Sequence, residues 1–257
     1  MSARFSGKVG LVTGAASGIG AAFARLAAAE GTKGLALLDR DADGLARLAG
    51  DLPCPSLVAA GDVGDASVWE DFVARIADRF GNIGFALANA GIGHETQPIV
   101  ELDPEVWSRV LAVNLTGTFL TTRAALRLIE DGGSIVMVGS SMGVKPSAGS
   151  AGYGASKAGI VQLAKIAALE AAPRGIRVNA ISPGGVRTPL FRGLDFFEAL
   201  AEQTGSENGA FDALAIRTPL RRYASADEIA ELIALLMSES AAQITGANLI
   251  ADAGMTL

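Results

Sequence analysis

An α/β fold, doubly wound around one parallel sheet of seven strands with helices on both faces, is predicted by three features of this 257-residue sequence. Short apolar runs alternate with longer alanine-rich segments from end to end. The short runs are apolar along their whole length, as strands covered on both faces must be. Strand–helix alternation repeated this often requires right-handed βαβ crossovers.

The strands are expected at KVGLVT (8–13), GLALLD (34–39), SLVAAG (56–61), GFALAN (84–89), SIVMVGS (134–140), IRVNAIS (176–182) and ANLIAD (247–252). Helices are expected at 18–31, 66–81, 105–130 and 153–172. In the last of these, apolar residues recur at three- and four-residue steps while Lys165 and Glu170 fall off that face. Residues 189–222 break the rhythm with a long excursion, the length at which a lid or binding loop is expected. The whole chain, 1–257, therefore predicts one domain carrying a substrate-lid insertion.

Composition narrows the partners. Half of the residues are hydrophobic and 19% are charged, ample for a large core. The net charge of −6 disfavours nucleic acid, whose phosphates an acidic surface repels. No run of about 18 uncharged apolar residues occurs, so no membrane span is expected. The opening MSARFSGKVG has no apolar signal core. One cysteine, Cys54, can form neither an intrachain disulfide nor a multi-cysteine metal site, which suits a reducing, cytoplasmic setting. No metal-ligand set is visible.

TGAASGIG (13–20) joins the first strand to the first helix. Its glycines, Gly14, Gly18 and Gly20, permit a tight turn and close helix packing, and they also let a phosphate approach the backbone at a helix N-terminus. The spacing departs from G-x-G-x-x-G, and no Gly-Lys-Ser/Thr follows to make a P-loop. Asp39 closes the second strand, where an acid accepts hydrogen bonds from an adenosine ribose and repels a 2′-phosphate. That favours NAD over NADP, although Arg40 beside it could receive the phosphate. A helix N-cap is the plainer role for Asp39.

YGASK sets Tyr153 and Lys157 four residues apart at a helix start, on one face. An ammonium near a phenol lowers its pKa and makes it a usable base. Chance also places Y-x-x-x-K pairs on exposed helices, but this chain has only two tyrosines. Ser140 and Ser141 end a central strand, where ligands of α/β sheets bind, and where hydroxyls also make ordinary turn bonds. A serine hydrolase is disfavoured because no G-x-S-x-G elbow is present and His94 is the sole histidine.

Taken together, TGAASGIG, Asn89-Ala90-Gly91, Asn114, Ser140, Tyr153-x-x-x-Lys157 and Pro183-Gly184 resemble the short-chain dehydrogenase/reductase family, from about residue 6 to the C-terminus. The family's T-G-x-x-x-G-x-G pattern matches Thr13 to Gly20 position for position. The resemblance implies a Rossmann-like fold, reversible hydride transfer between a secondary alcohol and a ketone, and no metal. It implies that Gly14, Ser17, Gly18, Ile19 and Gly20 cradle the cofactor pyrophosphate. Asp39 would bind the adenine ribose, Asp62 and Val63 would flank the adenine, and Asn89, Ala90 and Gly91 would support the sheet and a ribose. Ser140 would orient the substrate oxygen, Tyr153 would be the acid/base, and Lys157 would bind the nicotinamide ribose and lower the tyrosine pKa. Asn114 would hold a water in the proton relay. Pro183, Gly184, Val186 and Thr188 would surround the nicotinamide amide. A homotetramer is also implied, with the helices of Asn114 and Tyr153 packing between subunits. The chain departs from the family at Ala88, where N-N-A-G is frequent, and at Ala253, where D-G-G is frequent.

The substrate is expected to be a small molecule. Phe191, Phe196, Phe197 and Phe211 in the excursion would form an apolar lid favouring a hydrophobic or aromatic substrate, or would pack two short helices onto the body. Arg187, Arg192, Arg217, Arg221 and Arg222 could draw an anionic substrate, or stand solvated. His94 and Ser141 are expected at the pocket rim, though a surface loop also suits His94. Rival functions are an NADPH-dependent 3-oxoacyl-carrier-protein reductase, a non-catalytic dinucleotide sensor and a SAM methyltransferase. The first would want a basic residue in the glycine turn or after the second strand, but the turn supplies only Ala15, Ala16 and Ser17, and Asp39 opposes the phosphate. The others have no use for Tyr153 and Lys157.

Overall fold

The structure is a computed structural model and describes residues 3–257; Met1 and Ser2, at the head of the opening segment, lie outside it. In chain order it runs β1 (Val9–Thr13), α1 (Gly18–Ala29), β2 (Gly34–Asp39), α2 (Ala42–Asp51), β3 (Ser56–Ala60), α3 (Ala66–Phe80) and β4 (Ile83–Ala88). There follow α4 (Pro104–Leu111), α5 (Gly117–Leu128), β5 (Ile129–Val138), α6 (Ala151–Ala171) and β6 (Arg177–Pro183). The chain ends with α7 (Asp195–Thr204), α8 (Glu207–Ala215), α9 (Ala226–Met237) and β7 (Asn248–Ala251).

All seven strands pair in parallel in the order β3-β2-β1-β4-β5-β6-β7. The order reverses between β1 and β4, which opens a crevice at their carboxyl ends. Period-two alternation explains the unbroken apolar runs. Leu11, Ala36, Leu38, Ala86, Ile135 and Met137 face a core shared with α3, α5 and α6. Their neighbours Val12, Leu35, Leu37, Leu87, Val136 and Val138 face a second core with α1, α2 and α9. Gly10 leaves the space that the Phe85 ring fills, 4.6 Å from the ring of Phe5.

Helix starts follow their caps. Asp41, Asp65 and Asp103 each accept a backbone N–H from the first turns of α2, α3 and α4. Ser225 and Glu228 form a reciprocal capping box on α9.

Two expectations are corrected. The single helix expected over 105–130 is broken into α4 and α5 by a five-residue π turn, Ala112–Thr116. That turn bulges to carry Asn114 inward, a local demand that a 3.6-residue periodicity does not reveal. β5 begins at Ile129 rather than 134, with a register shift opposite Ile83 and Phe85.

Candidate active site

The glycine turn is bolted to β4. Asn89 Nδ2 donates to the carbonyls of Thr13 (3.1 Å) and Gly14 (3.0 Å), and Thr13 Oγ1 accepts the amide of Asn89 at 3.1 Å. Gly14 has φ +63°, and a Cβ there would meet the backbone of Ala90. Gly20 differs from the expectation: a Cβ there would stand 2.1 Å from the Gly14 carbonyl oxygen. Its lack of a side chain lets α1 seat against the turn, and Gly20 forms no part of the cavity wall. Gly14, Ser17, Gly18 and Ile19 do line the wall. The first amides of α1, like those of any helix, have no intrahelical partner, and Ser17 caps the helix without a side-chain bond to them, so they suit an anion.

Asp39 accepts the amides of Ala16 (2.9 Å) and Asp41 (3.0 Å), joining the glycine turn to the end of β2. The N-cap of α2 is Asp41, which accepts from Gly44. Asp62 accepts the Gly64 amide at 2.9 Å and pairs with Arg109 of α4. Burial pushes the Asp62 carboxyl up, but that amide and guanidinium outweigh it and hold it below the usual carboxylate range. Arg109 lies 47 residues away and carries no local signal in the sequence.

These groups share one cavity of about 680 Å³ at the carboxyl end of the sheet. Asp39, Asp62, Val63, Asn89, Ala90 and Gly91 line one end, and Pro183, Gly184, Val186 and Thr188 approach from β6. Ser140, Ser141, Tyr153 and Lys157 face the same space. Ser140, 7% exposed, caps a short turn by accepting the Met142 amide at 3.2 Å. Ser141 donates to the sulfur of Met255 at 3.7 Å.

Lys157 is 3% exposed, donates to the Val138 carbonyl at 2.9 Å, and holds Nζ 5.6 Å over the centre of the Tyr153 ring. Burial pushes its ammonium down to about 8. Burial also pushes the Tyr153 phenol above its ordinary value, while its hydrogen bond with the Ser140 hydroxyl pulls the other way. The expected lowering of the tyrosine by Lys157 is therefore not the governing effect, because desolvation acts on both groups.

Asn114 is fully buried and does not reach the cavity wall. Its side chain accepts the Ile92 amide (2.8 Å) and donates to the Ile92 carbonyl (3.0 Å) and Ser156 Oγ (3.1 Å). Ser156 in turn donates to the Tyr153 carbonyl at 2.7 Å. Asn114 thus ties the loop after β4 to α6.

In the excursion, Phe191 and Phe196 line the cavity. Phe197 does not: it is buried against Phe211 (4.8 Å) and Phe191 (5.5 Å) in a small core of its own. Consecutive helical residues diverge by about 100°, so only one of the pair Phe196–Phe197 can face the cavity. Tyr223, which the sequence did not single out, also lines the cavity and rests over Gly185. Arg187, Arg192 and Arg222 pair with Asp212, Glu207 and Glu228, which accounts for three of the five arginines without an anionic substrate. His94 lines the cavity and packs on the first turn of α6.

Among the described residues no three His, Cys, Asp or Glu side chains gather as a metal site, and no helix is long and apolar enough to cross a membrane.

Comparison with known proteins places these features in company. A family model described as enoyl-(acyl carrier protein) reductase matches residues 14–256. The cis-4-hydroxycyclohexanecarboxylate dehydrogenase of Sinomonas cyclohexanicum is 41% identical, covering 100% of this chain and 99% of that protein. A crystal structure of a Brucella melitensis short-chain dehydrogenase/reductase, glucose/ribitol dehydrogenase, is 32% identical over 100% of both chains, with a TM-score of 0.88. A 3-ketoacyl-(acyl-carrier-protein) reductase from the same organism, crystallised with NADH, is 32% identical over 98% of this chain and 100% of that one, with a TM-score of 0.86.

Proposed function

The chain belongs to the short-chain dehydrogenase/reductase family, and we propose that it interconverts an apolar, ring-bearing secondary alcohol and its ketone with NAD(H). As a member it is an NAD(P)-dependent oxidoreductase acting on CH–OH and C=O groups. The observation that carries the finer proposal is the meeting of Ser140, Tyr153 and Lys157 in the same cavity as the glycine turn and Asp39.

The residues present fit a dinucleotide. Gly14, Ser17, Gly18 and Ile19 would hold its pyrophosphate at the unpartnered amides of α1, with Gly20 serving the packing behind them. Asp39, held in place by two backbone amides, would accept from the adenosine ribose and leave a 2′-phosphate facing a carboxylate, which supports NAD. Asp62 and Val63 would flank the adenine, Asn89, Ala90, Gly91 and Lys157 the riboses, and Pro183, Gly184, Val186 and Thr188 the nicotinamide end. When bound, the nicotinamide supplies the hydride acceptor in oxidation and the hydride donor in reduction.

The protein's own groups handle the proton and the oxygen. In oxidation Tyr153, as the phenolate, takes the proton of the substrate hydroxyl and becomes the phenol, and Ser140 holds the substrate oxygen where charge develops. Lys157, near the tyrosine ring, favours the phenolate whenever it carries its proton. Asn114 steadies α6 beneath Tyr153 through Ser156.

Met142, Leu190, Phe191, Leu194, Phe196 and Met255 give the substrate end apolar walls, and α7 and α8 act as a lid that keeps water out. The relative acting on a hydroxycyclohexanecarboxylate supports a ring-bearing substrate. The chain works as a homotetramer, with the apolar faces of α5 and α6, at Phe119, Ile166 and Leu169, packed between subunits.

A screen of cyclic and acyclic secondary alcohols and ketones, read by nicotinamide absorbance with NAD(H) and NADP(H) in parallel, tests the proposal. Faster turnover of alicyclic substrates with NAD(H) is expected. Preference for NADP(H), or activity confined to acyl-carrier thioesters, would overturn it.

A further inference from the structure

The sole histidine sits where the start of α6 lacks a cap. His94 Nδ1 lies 2.7 Å from the Glu95 carbonyl oxygen, which can only accept, so Nδ1 carries the ring proton. Nε2 is then left with its lone pair, and it accepts the backbone N–H of Tyr153 at 3.3 Å. Tyr153 is the third residue of α6, so its amide has no partner within the helix. The N-cap, Ser150, spends its hydroxyl on the Ser147 carbonyl instead. A side chain 59 residues away in sequence therefore does the capping.

We propose that His94 is a positioning residue for the reaction: its ring pins the start of α6, and with it Tyr153. The proposal rests on the dehydrogenase function given above. The next residue, Glu95, accepts the Asp195 amide at the start of α7 at 2.7 Å. Residues 94 and 95 thus grip the first turns of two helices, one bearing Tyr153 and one belonging to the lid.

The test compares wild type, His94→Leu and His94→Gln, since the glutamine carboxamide oxygen can accept where Nε2 does. With the best substrate of the screen and saturating NAD, kcat of His94→Leu is expected to fall roughly tenfold through misplacement of Tyr153. His94→Gln recovers most of that loss, because its carboxamide oxygen can accept the Tyr153 N–H. NADH affinity, followed by fluorescence, stays within about twofold in both variants, as a loss confined to geometry at Tyr153 requires. Hydrogen exchange at the Tyr153 amide reads the same hold without turnover, and is expected to quicken in His94→Leu alone. Wild-type exchange and kcat in His94→Leu, or a His94→Gln variant as slow as His94→Leu, would overturn the proposal. A wild-type enzyme without turnover but with His94-dependent protection of Tyr153 would instead count against the dehydrogenase function.

Discussion

The Lys157 ammonium nitrogen stands 5.6 Å over the ring of Tyr153 while donating its hydrogen bond to Val138 on β5. The lysine is thus tied to the sheet and the tyrosine rides above it on the same helix face. Their spacing is set by one turn of α6 and their burial by the sheet beneath.

Removing the phenolic hydroxyl removes the proposed acid/base without disturbing the ring. Tyr153→Phe is expected to lower kcat by about 10²–10⁴-fold with NADH affinity retained. Steady-state rates and a fluorescence titration check both halves. Undiminished turnover would sink the mechanism.

Burial lowers the Lys157 value from 10.5 to about 8, and this has a signature in stability. Below pH 8 the folded protein carries a buried charge that the unfolded chain holds more easily, so the lysine costs stability there. Between pH 8 and 10.5 the unfolded chain binds the extra proton, so stability contributed at this site rises with pH. Relative to Lys157→Met, wild type should gain about 2–3 kcal/mol between pH 7 and pH 10. Denaturant midpoints of the two proteins across that range provide the check; parallel curves would contradict the shift.

Ala253 sits at φ +54°, in the left-handed region that favours glycine, at a position where the family often has glycine. Ala253→Gly removes roughly 1 kcal/mol of backbone strain and adds part of that back as unfolded-chain entropy. A net gain of about 0.5 kcal/mol, or about 1–2 °C in the thermal midpoint, is expected by calorimetry.

Leu169 is 78% exposed on α6, near Ile166, on the face proposed for subunit contact. A charge there would be buried on assembly. Light scattering should give a tetramer for wild type and a smaller species for Leu169→Glu. A monomeric wild type would refute the assembly.

Local patterns in the sequence determine most of the frame. GLALLD reads as a strand over residues 34–39 and is one, because a strand buried on both faces must be apolar throughout. The spacing of Tyr153 and Lys157 puts them together for the same reason of local geometry: one helical turn joins them. The glycine spacing of 13–20 likewise marks a turn opening a helix, and α1 begins at Gly18.

Tertiary packing decided the rest. Two adjacent phenylalanines, Phe196 and Phe197, look alike in sequence, and only the docking of α7 turns one to the cavity and the other into a core. Asn114 owes its π turn to bonds with Ile92 and Ser156, and Asp62 owes its ion pair to Arg109 across 47 residues. His94, a loop residue by sequence, becomes the cap of the helix that carries Tyr153. The sequence by itself determined the elements and the chemistry they bear, since periodicity and short spacings act within one or two turns. Which side chains meet across the sheet's carboxyl edge depended on how those elements pack, a relation between residues far apart in the chain.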